Sequence, residues 1–450
     1  MSRDTFVYHL FPMAQCGAPA RNDFTSAPVP RLAELDPWLE HARDLGASTV
    51  LLGPVFESSS HGYDTADLWQ EDRRLGTLED LARLVRRAHD LGVRVMLDAV
   101  FGHVGRAFFA FKDLLAHGQS SAFRDWFRSV RFDRRSLLGD PFECEVWKGV
   151  ADLPRLNLEH PDVRGHLFGA VERWVRELEV DGLRLDTADW LDTRFLEALR
   201  SHCDGLRPDI WLMGEVVHGD YRKQAHPRAL HSVTNYEAYK GLWSSLNDRN
   251  YFEVAYALQR QFGPGGLYRG VPLYGFVDNH DVSRVASLLR DRGHLFPLYG
   301  LLFTMPGVPS VYYGSEFGLL GKRTEHDDRP LRPRLDLGAL RAGDLRAGDR
   351  SLVDVIRRLA GLRRGSRALT QGGYAQLHVS GEQLAFLRTD GEERVVVALN
   401  ASADPAPVPL GNLPGRALVD LLDPGPAVPM RQGAKLVVPG RWLRVLRAEG

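Results

Sequence analysis

Carboxylates recur in this chain where β-rich runs end. Asp98 closes a run that continues Ala99-Val100-Phe101-Gly102-His103. Arg184-Leu185-Asp186 ends the next such run, Gly214-Glu215 the one after, and Asp278-Asn279-His280-Asp281 a later one. A single acid at a strand end serves well enough as a cap. Four such ends, with His or Arg beside three of them, gather like charges that are costly to crowd unless a site uses them. Paired carboxylates suit glycosyl transfer. One attacks an anomeric carbon, and the other protonates the leaving oxygen and later activates water. In retaining enzymes the two stand about 5–5.5 Å apart, a spacing that neighbouring strands can supply. A third acid favours an oxocarbenium-like state, while His103, His280 and Arg184 can hold hydroxyls and Tyr63 can offer a ring face.

The elements that must carry these residues alternate. Strands are expected at Phe6–Leu10, Ser48–Leu52, Val93–Val100, Gly182–Asp186, Ile210–Glu215, His231–Tyr236, Leu273–Asp278 and Pro309–Tyr313. A helix at about 77–91 has Thr77 as its cap with Asp80 in the capping-box position, and Leu78, Leu81, Val85 and Ala88 on one face. Another, at about 162–179, carries Leu167, Phe168, Val171, Trp174, Val175 and Leu178 in one stripe. Eight strands alternating with helices predict an α/β fold, a (β/α)8 barrel, whose chemistry sits at the C-terminal strand ends. No G-x-G-x-x-G or Walker loop follows the first strand, which weakens a nucleotide-binding alternative.

The expected organisation is a barrel from 1–101 and 162–368, a lid subdomain at 102–161 and a C-terminal all-β sandwich at 369–450. The lid follows from a strand-to-helix interval too long for an ordinary connection. Its aromatics, Phe108, Phe109, Phe111, Trp126, Phe127 and Trp147, are expected to form a local core rather than sugar platforms. Short strands are expected at Gln376–Val379, Gln383–Arg388, Arg394–Leu399, Ala417–Leu421, Lys435–Val438 and Arg441–Leu446, with the helix Leu352–Leu362 before them. The Arg-rich stretch 332–349 reads as an exposed loop.

With 57 basic and 58 acidic residues the formal charge of the 450-residue chain is −1, so no bulk field draws it to nucleic acid or to a membrane surface. The three cysteines, Cys16, Cys144 and Cys203, are expected to be isolated thiols. Met1-Ser2-Arg3-Asp4 leads into a strand, without the pattern of a signal peptide. The most apolar stretch, Leu298 to Gly314, is interrupted by Pro306 and Pro309 and is too short to span a bilayer. A cytoplasmic location is expected. His160, His218 and His231 share no ligand spacing, so no metal site is expected.

At this point the sequence resembles the α-amylase family of retaining α-glycosidases and transglycosidases, over nearly its whole length. The resemblance rests on Asp98-Ala99-Val100-Phe101-Gly102-His103, Gly182-Leu183-Arg184-Leu185-Asp186, Gly214-Glu215-Val216 and Phe276-Val277-Asp278-Asn279-His280-Asp281, in family order. His61-Gly62-Tyr63-Asp64 and the segment from Thr304 to Glu316 add to it. It implies that Asp186 is the nucleophile, Glu215 the acid/base and Asp281 the transition-state stabiliser. Tyr63, His103, Arg184 and His280 would line the glycosyl subsite, with Asp98 supporting it from behind. Trp190, just past the fourth strand, is a candidate sugar contact. Asp327 and Arg329 lie where related exo-acting enzymes fix the non-reducing end. Gly102 replaces the family's usual asparagine, a common calcium ligand, so no cofactor is expected to be required, and calcium, which the family allows, is not predicted. Leu153-Pro154-Arg155-Leu156-Asn157, Glu215-Val216-Val217-His218 and Val233-Thr234-Asn235-Tyr236 resemble the neopullulanase, cyclomaltodextrinase and maltogenic amylase group. The implied activity is hydrolysis of α-1,4 and also α-1,6 bonds in short or cyclic maltooligosaccharides. The implied partner is a small oligosaccharide, and the residues say nothing of the oligomeric state. The alternatives are a transglycosidase or isomerase of the trehalose synthase or glucosyltransferase kind, and an inert relative used for binding. The latter usually lacks one of the three acids, and this chain keeps them all.

Overall fold

A computed structural model describes residues 5–325, 327–343, 345–347, 350–411, 413, 415–430, 433 and 435–449. Met1 to Asp4 and parts of the 332–349 stretch lie outside the described residues. Eight short parallel strands follow one another along the chain: β1 (Val7–Leu10), β2 (Thr49–Leu52), β3 (Arg94–Ala99), β4 (Gly182–Leu185), β5 (Trp211–Gly214), β6 (Ser232–Val233), β7 (Tyr274–Gly275) and β8 (Val308–Tyr312). With helices between them they make the (β/α)8 fold. The chain packs as two compact units, one of Leu10–Glu40 and Thr49–Val233, the other of residues 5–9, His41–Ser48 and 234–449.

In the first unit β2 to β6 pair in parallel in chain order. Every residue of β2, β4 and β5 is buried, as expected of parallel strands covered on both faces. The helix Leu78–Asp90 begins as its sequence requires. Thr77 Oγ1 accepts from the Asp80 N–H at 3.3 Å, and Asp80 accepts the Thr77 N–H at 2.8 Å. β6 is shorter than expected because Asn235 turns away to cap the helix Tyr236–Asn247, accepting from the Ala238 N–H at 3.1 Å. A hairpin of Phe56–Ser58 with Thr65–Glu71 has no counterpart in the strand pattern of the sequence.

His231 illustrates how this unit responds to pH. Its Nδ1 accepts from the Leu212 N–H at 3.0 Å, a bond that only the neutral ring can make. Burial first, then Arg200, pushes the imidazole down to about 4. Between about 6.5 and 4 the unfolded chain therefore takes a proton that the folded chain refuses. Stability is expected to fall as pH drops through that window, by up to about 3 kcal/mol from this residue. Urea melts between pH 7 and 4.5 check it. The slope should be shallower in His231→Asn, and an unchanged slope would reject the assignment.

The inserted segment between β3 and the helix Pro161–Arg176 holds one regular helix, Phe109–His117, and a few isolated bridges. Phe108, Phe111, Trp126 and Phe127 are buried, as expected of a local core, and Phe111 meets Phe127 edge-on at 5.2 Å. Phe109 is exposed, and Trp147 lies against His103 instead.

In the second unit β1 pairs with β8, and β8 with β7, all in parallel. β7 stops at Gly275, short of the expected Asp278, because the Asp278 carboxylate turns to accept from the Val285 N–H and the Ser315 hydroxyl. The helix Leu295–Thr304 is buried at every position. The carbonyls at its C-terminal end receive two buried guanidiniums: Arg363 bonds Phe303 and Met305, and Arg388 bonds Thr304 at 2.6 Å. Cations at that end suit both the orphan carbonyls and the dipole. The stretch 332–349 is not simply an exposed loop. It contains the helix Leu337–Ala342, capped by Asp336, and it opens with a half-buried Arg332. Among the described residues no helix is long and apolar enough to cross a membrane.

The last part of the chain is antiparallel: β9 (Gly373–Val379), β10 (Gln383–Asp390), β11 (Glu393–Asn400), β12 (Ala406–Pro409), β13 (Ala417–Asp420), β14 (Val428–Pro429), β15 (Lys435–Val438) and β16 (Trp442–Glu449). Six strands run in the order β9-β10-β11-β16-β13-β14, and β12 pairs with β15 apart from them. Ala385, Val396, Ala398 and Leu446 of the larger sheet share a core with Val408, Leu436 and Val438 of the smaller one, which is the expected sandwich.

Candidate active site

Strand register brings the first group of acids together. Arg184 and Leu185 of β4 stand opposite Met213 and Gly214 of β5. The next residues are Asp186 and Glu215. The ladder continues into them: the Asp186 N–H donates to the Ala99 carbonyl at 3.0 Å and the Glu215 N–H to the Leu185 carbonyl at 2.9 Å. Neighbouring strands lie about 4.8 Å apart, so two acids one step past a register pair are carried at nearly the spacing of a retaining pair. Asp98 stands opposite Arg184 on the other side, on β3. Arg184 and Asp186 are two apart and share a face.

One guanidinium serves all three acids. Arg184 Nη1 meets both Asp98 oxygens, at 2.7 and 2.9 Å, and Asp186 Oδ1 at 2.9 Å, while Nη2 meets Glu215 Oε2 at 2.9 Å. All four side chains are buried, Asp186 and Glu215 being 6% exposed. Burial alone would depress the Arg184 guanidinium, but Asp98 and Glu215 outweigh it and hold the cation well above its ordinary range. The cluster pairs three carboxylates with one cation, leaving excess negative charge that a proton on one acid relieves.

Thr187 fixes the pair further. Its N–H donates to Glu215 Oε2 at 3.2 Å and its hydroxyl lies 3.3 Å from Asp186 Oδ2. To do so it adopts φ +45° and ψ +47°. For a β-branched residue that left-handed geometry costs on the order of 1–3 kcal/mol. Nothing in the sequence singles it out, since threonine carries no signal for such a backbone.

Tyr63 and His103 line the same cluster. The Tyr63 hydroxyl donates to Asp98 Oδ2 at 2.8 Å, and His103 Nε2 lies 3.1 Å from the Tyr63 carbonyl. Gly62 supplies the turn that presents Tyr63: its φ is +96°, and a Cβ there would fall 2.6 Å from Pro54. Burial pushes the His103 imidazole down, although Asp186 opposes it. Its buried Nδ1 has no hydrogen-bond partner in the structure and can meet a hydroxyl. Asp98, 1% exposed, lies behind the group. Trp190 is at the edge, 38% exposed.

The second unit gathers another acid group. Asn279 Oδ1 accepts from the Asp281 N–H at 2.8 Å and shapes the turn after β7. His280 is buried, with Nε2 3.1 Å from Asp281 Oδ2, and packs edge-on against His9 at 5.1 Å. Arg332 Nε donates to the His280 carbonyl at 3.0 Å, and Nη2 meets Asp281 Oδ1 at 2.9 Å and Asp328 Oδ2 at 3.2 Å. Asp327 and Arg329, by contrast, bond each other at 2.9 Å on an exposed loop, and the Arg329 side chain is 90% exposed. Arg332 reaches Asp281 and its neighbour from that segment, and Asp328 holds Arg332 in turn. Nothing in the pattern of charges separates Arg332 from the six other arginines between 323 and 350.

The α-amylase catalytic domain family matches residues 37–337, and the C-terminal domain of maltogenic amylase matches 374–441. The chain belongs to the α-amylase family of glycoside hydrolases. It is 32% identical over 394 residues to a cyclomaltodextrinase of Geobacillus thermopakistaniensis, covering 85% of this chain and 64% of that protein. It is 30% identical over 396 residues to neopullulanase 2 of Thermoactinomyces vulgaris, covering 86% and 64%. The chain thus spans just under two thirds of the length of these two relatives. A solved protein of Thermus thermophilus superposes with a TM-score of 0.83 at 30% identity, over 99% of both chains.

Proposed function

We propose that the chain is a retaining α-glycoside hydrolase acting on α-1,4, and also α-1,6, glucosidic bonds of short or cyclic maltooligosaccharides. The observation that carries this is the pair Asp186 and Glu215, one step past a register pair and joined through Arg184. The activities for which the cyclomaltodextrinase and the neopullulanase are named support the substrate class.

In the proposed mechanism Asp186 attacks the anomeric carbon as the glycosidic bond breaks, and protonated Glu215 gives its proton to the departing oxygen. A β-glycosyl ester of Asp186 results. Glu215, now a carboxylate, takes a proton from water, whose oxygen attacks the same carbon and releases Asp186. Two inversions return an α product. Asp281 stabilises the oxocarbenium-like states, and Arg332 and His280 hold it. Tyr63, His103 and Arg184 bind the glycosyl unit. No step calls for a metal or organic cofactor, and the proposed location is the cytoplasm.

The test is a product profile. Soluble starch, γ-cyclodextrin, maltotriose and panose are incubated separately in EDTA, with NMR at early times. The expected result is faster cleavage of γ-cyclodextrin and maltotriose than of starch, α-anomeric products, and no loss of rate in EDTA. A β product would sink the double displacement. Products longer than the substrate would move the chain to the transglycosidases of the same family.

A further inference from the structure

Arg155 of the inserted segment touches the loop that follows the nucleophile. Positions 143–155 run out and back as a narrow arm, with Val146 bridged to Pro154. At its tip the Val150 N–H donates to the Trp147 carbonyl at 2.8 Å. Lys148 and Gly149 have φ of +46° and +79°, the sign pair of a type I′ turn. Arg155 closes the base of this arm. Its backbone bridges His103, and its N–H donates to the Glu145 carbonyl at 2.9 Å. Its side chain is 9% exposed. Nη1 binds the Glu145 carboxylate, and Nη2 donates to the Trp190 carbonyl at 3.0 Å. The guanidinium carbon also lies 5.2 Å from the centre of the Trp190 ring. Trp190, four residues beyond Asp186, is thus held at its backbone and backed at its ring while 38% of it stays exposed.

We infer that Arg155 is a positioning residue that fixes Trp190 as the platform for a sugar unit beyond the glycosyl subsite that Tyr63, His103 and Arg184 line. The inference rests on the hydrolase function proposed above. A ring already pinned loses little freedom when a sugar packs on it, so affinity is gained without new contacts. Only a planar guanidinium can bond a carboxylate and a carbonyl while stacking on an indole; an ammonium cannot do all three. Because the Arg155 backbone also bridges His103, the glycosyl subsite and the platform share an anchor.

The experiment compares maltotriose with α-glucosyl fluoride, whose one sugar unit fills the glycosyl subsite and cannot use the platform. In Arg155→Met, kcat/KM for maltotriose should fall at least tenfold more than for the fluoride, mainly through KM. Arg155→Lys should recover part of the loss. Trp190→Ala should show the same selectivity on its own, and should cost little more when added to Arg155→Met, because the two act as one unit. Equal losses on both substrates, or fully additive losses, overturn the inference. Should Arg155→Met not fold, the Trp190→Ala and Arg155→Lys results decide by the same criterion. Wild-type protein that releases no fluoride would defeat the hydrolase function, and the inference with it. An active wild type with unselective variants would defeat the inference alone.

Discussion

Asp186→Asn is expected to lower kcat for maltotriose by on the order of 10^4-fold or more, with folding intact. The amide has the shape of the carboxylate but cannot attack the anomeric carbon, and removing a nucleophile costs this much in enzymes where it has been measured alone. At about 1.4 kcal/mol per decade this is roughly 5.5 kcal/mol of barrier. The fold should survive because Arg184 keeps two of its three acids, Asp98 and Glu215. Steady-state kinetics and a urea melt of the same preparation check both halves. Activity near that of wild type would remove Asp186 from the role. Lost activity together with a lost fold would leave Asp186 a structural acid.

Arg184→Met should have the largest effect on stability. It removes the cation shared by Asp98, Asp186 and Glu215 and leaves three buried carboxylates facing one another. Removing one partner of a buried ionic group costs about 3–5 kcal/mol, because the remaining charge is uncompensated. The pH dependence gives a second signature. Without the guanidinium the folded state favours protonated acids more than the unfolded chain does. The deficit should therefore be full above the ordinary carboxylate range and shrink as pH falls through it. Urea melts at pH 7 and pH 4.5 measure this. A deficit below about 1 kcal/mol at pH 7, or one that grows on acidification, would show that the cluster does not depend on Arg184. Activity should be lost as well, since the guanidinium that orients both catalytic acids would be gone.

What could be read from the sequence follows from where the information lies along the chain. Asp98, Arg184, Asp186 and Glu215 sit within or directly after apolar runs that can only be buried strands, so parallel register alone brings them together. Arg332 could not be found that way. It meets Asp281 across 51 positions, from a segment with no periodicity. Thr187 was hidden because its role lies in a backbone angle its side chain does not favour. β12 was hidden by Pro407 and Pro409, which argue against a strand except at an edge. There it pairs with one neighbour, β15. The short β7 departs from its apolar run because Asp278 finds hydrogen-bond donors outside the sheet.

The helix Leu295–Thr304 carries a consequence for how the protein is made. Its last carbonyls are met by Arg363 and Arg388, 58 to 84 positions further on. Gly300 and Phe296 pack against Leu443 and Trp442 of the final strand. A ribosome adding about 5–20 residues per second needs on the order of 4–17 s to go from Thr304 to Arg388. During that interval an almost wholly apolar segment lacks its full set of end groups and its covering strand. The nascent chain is then at its most adhesive, and chaperones have their clearest claim on it. Polypeptides released before Arg388 should be captured or degraded, whereas full-length chains escape.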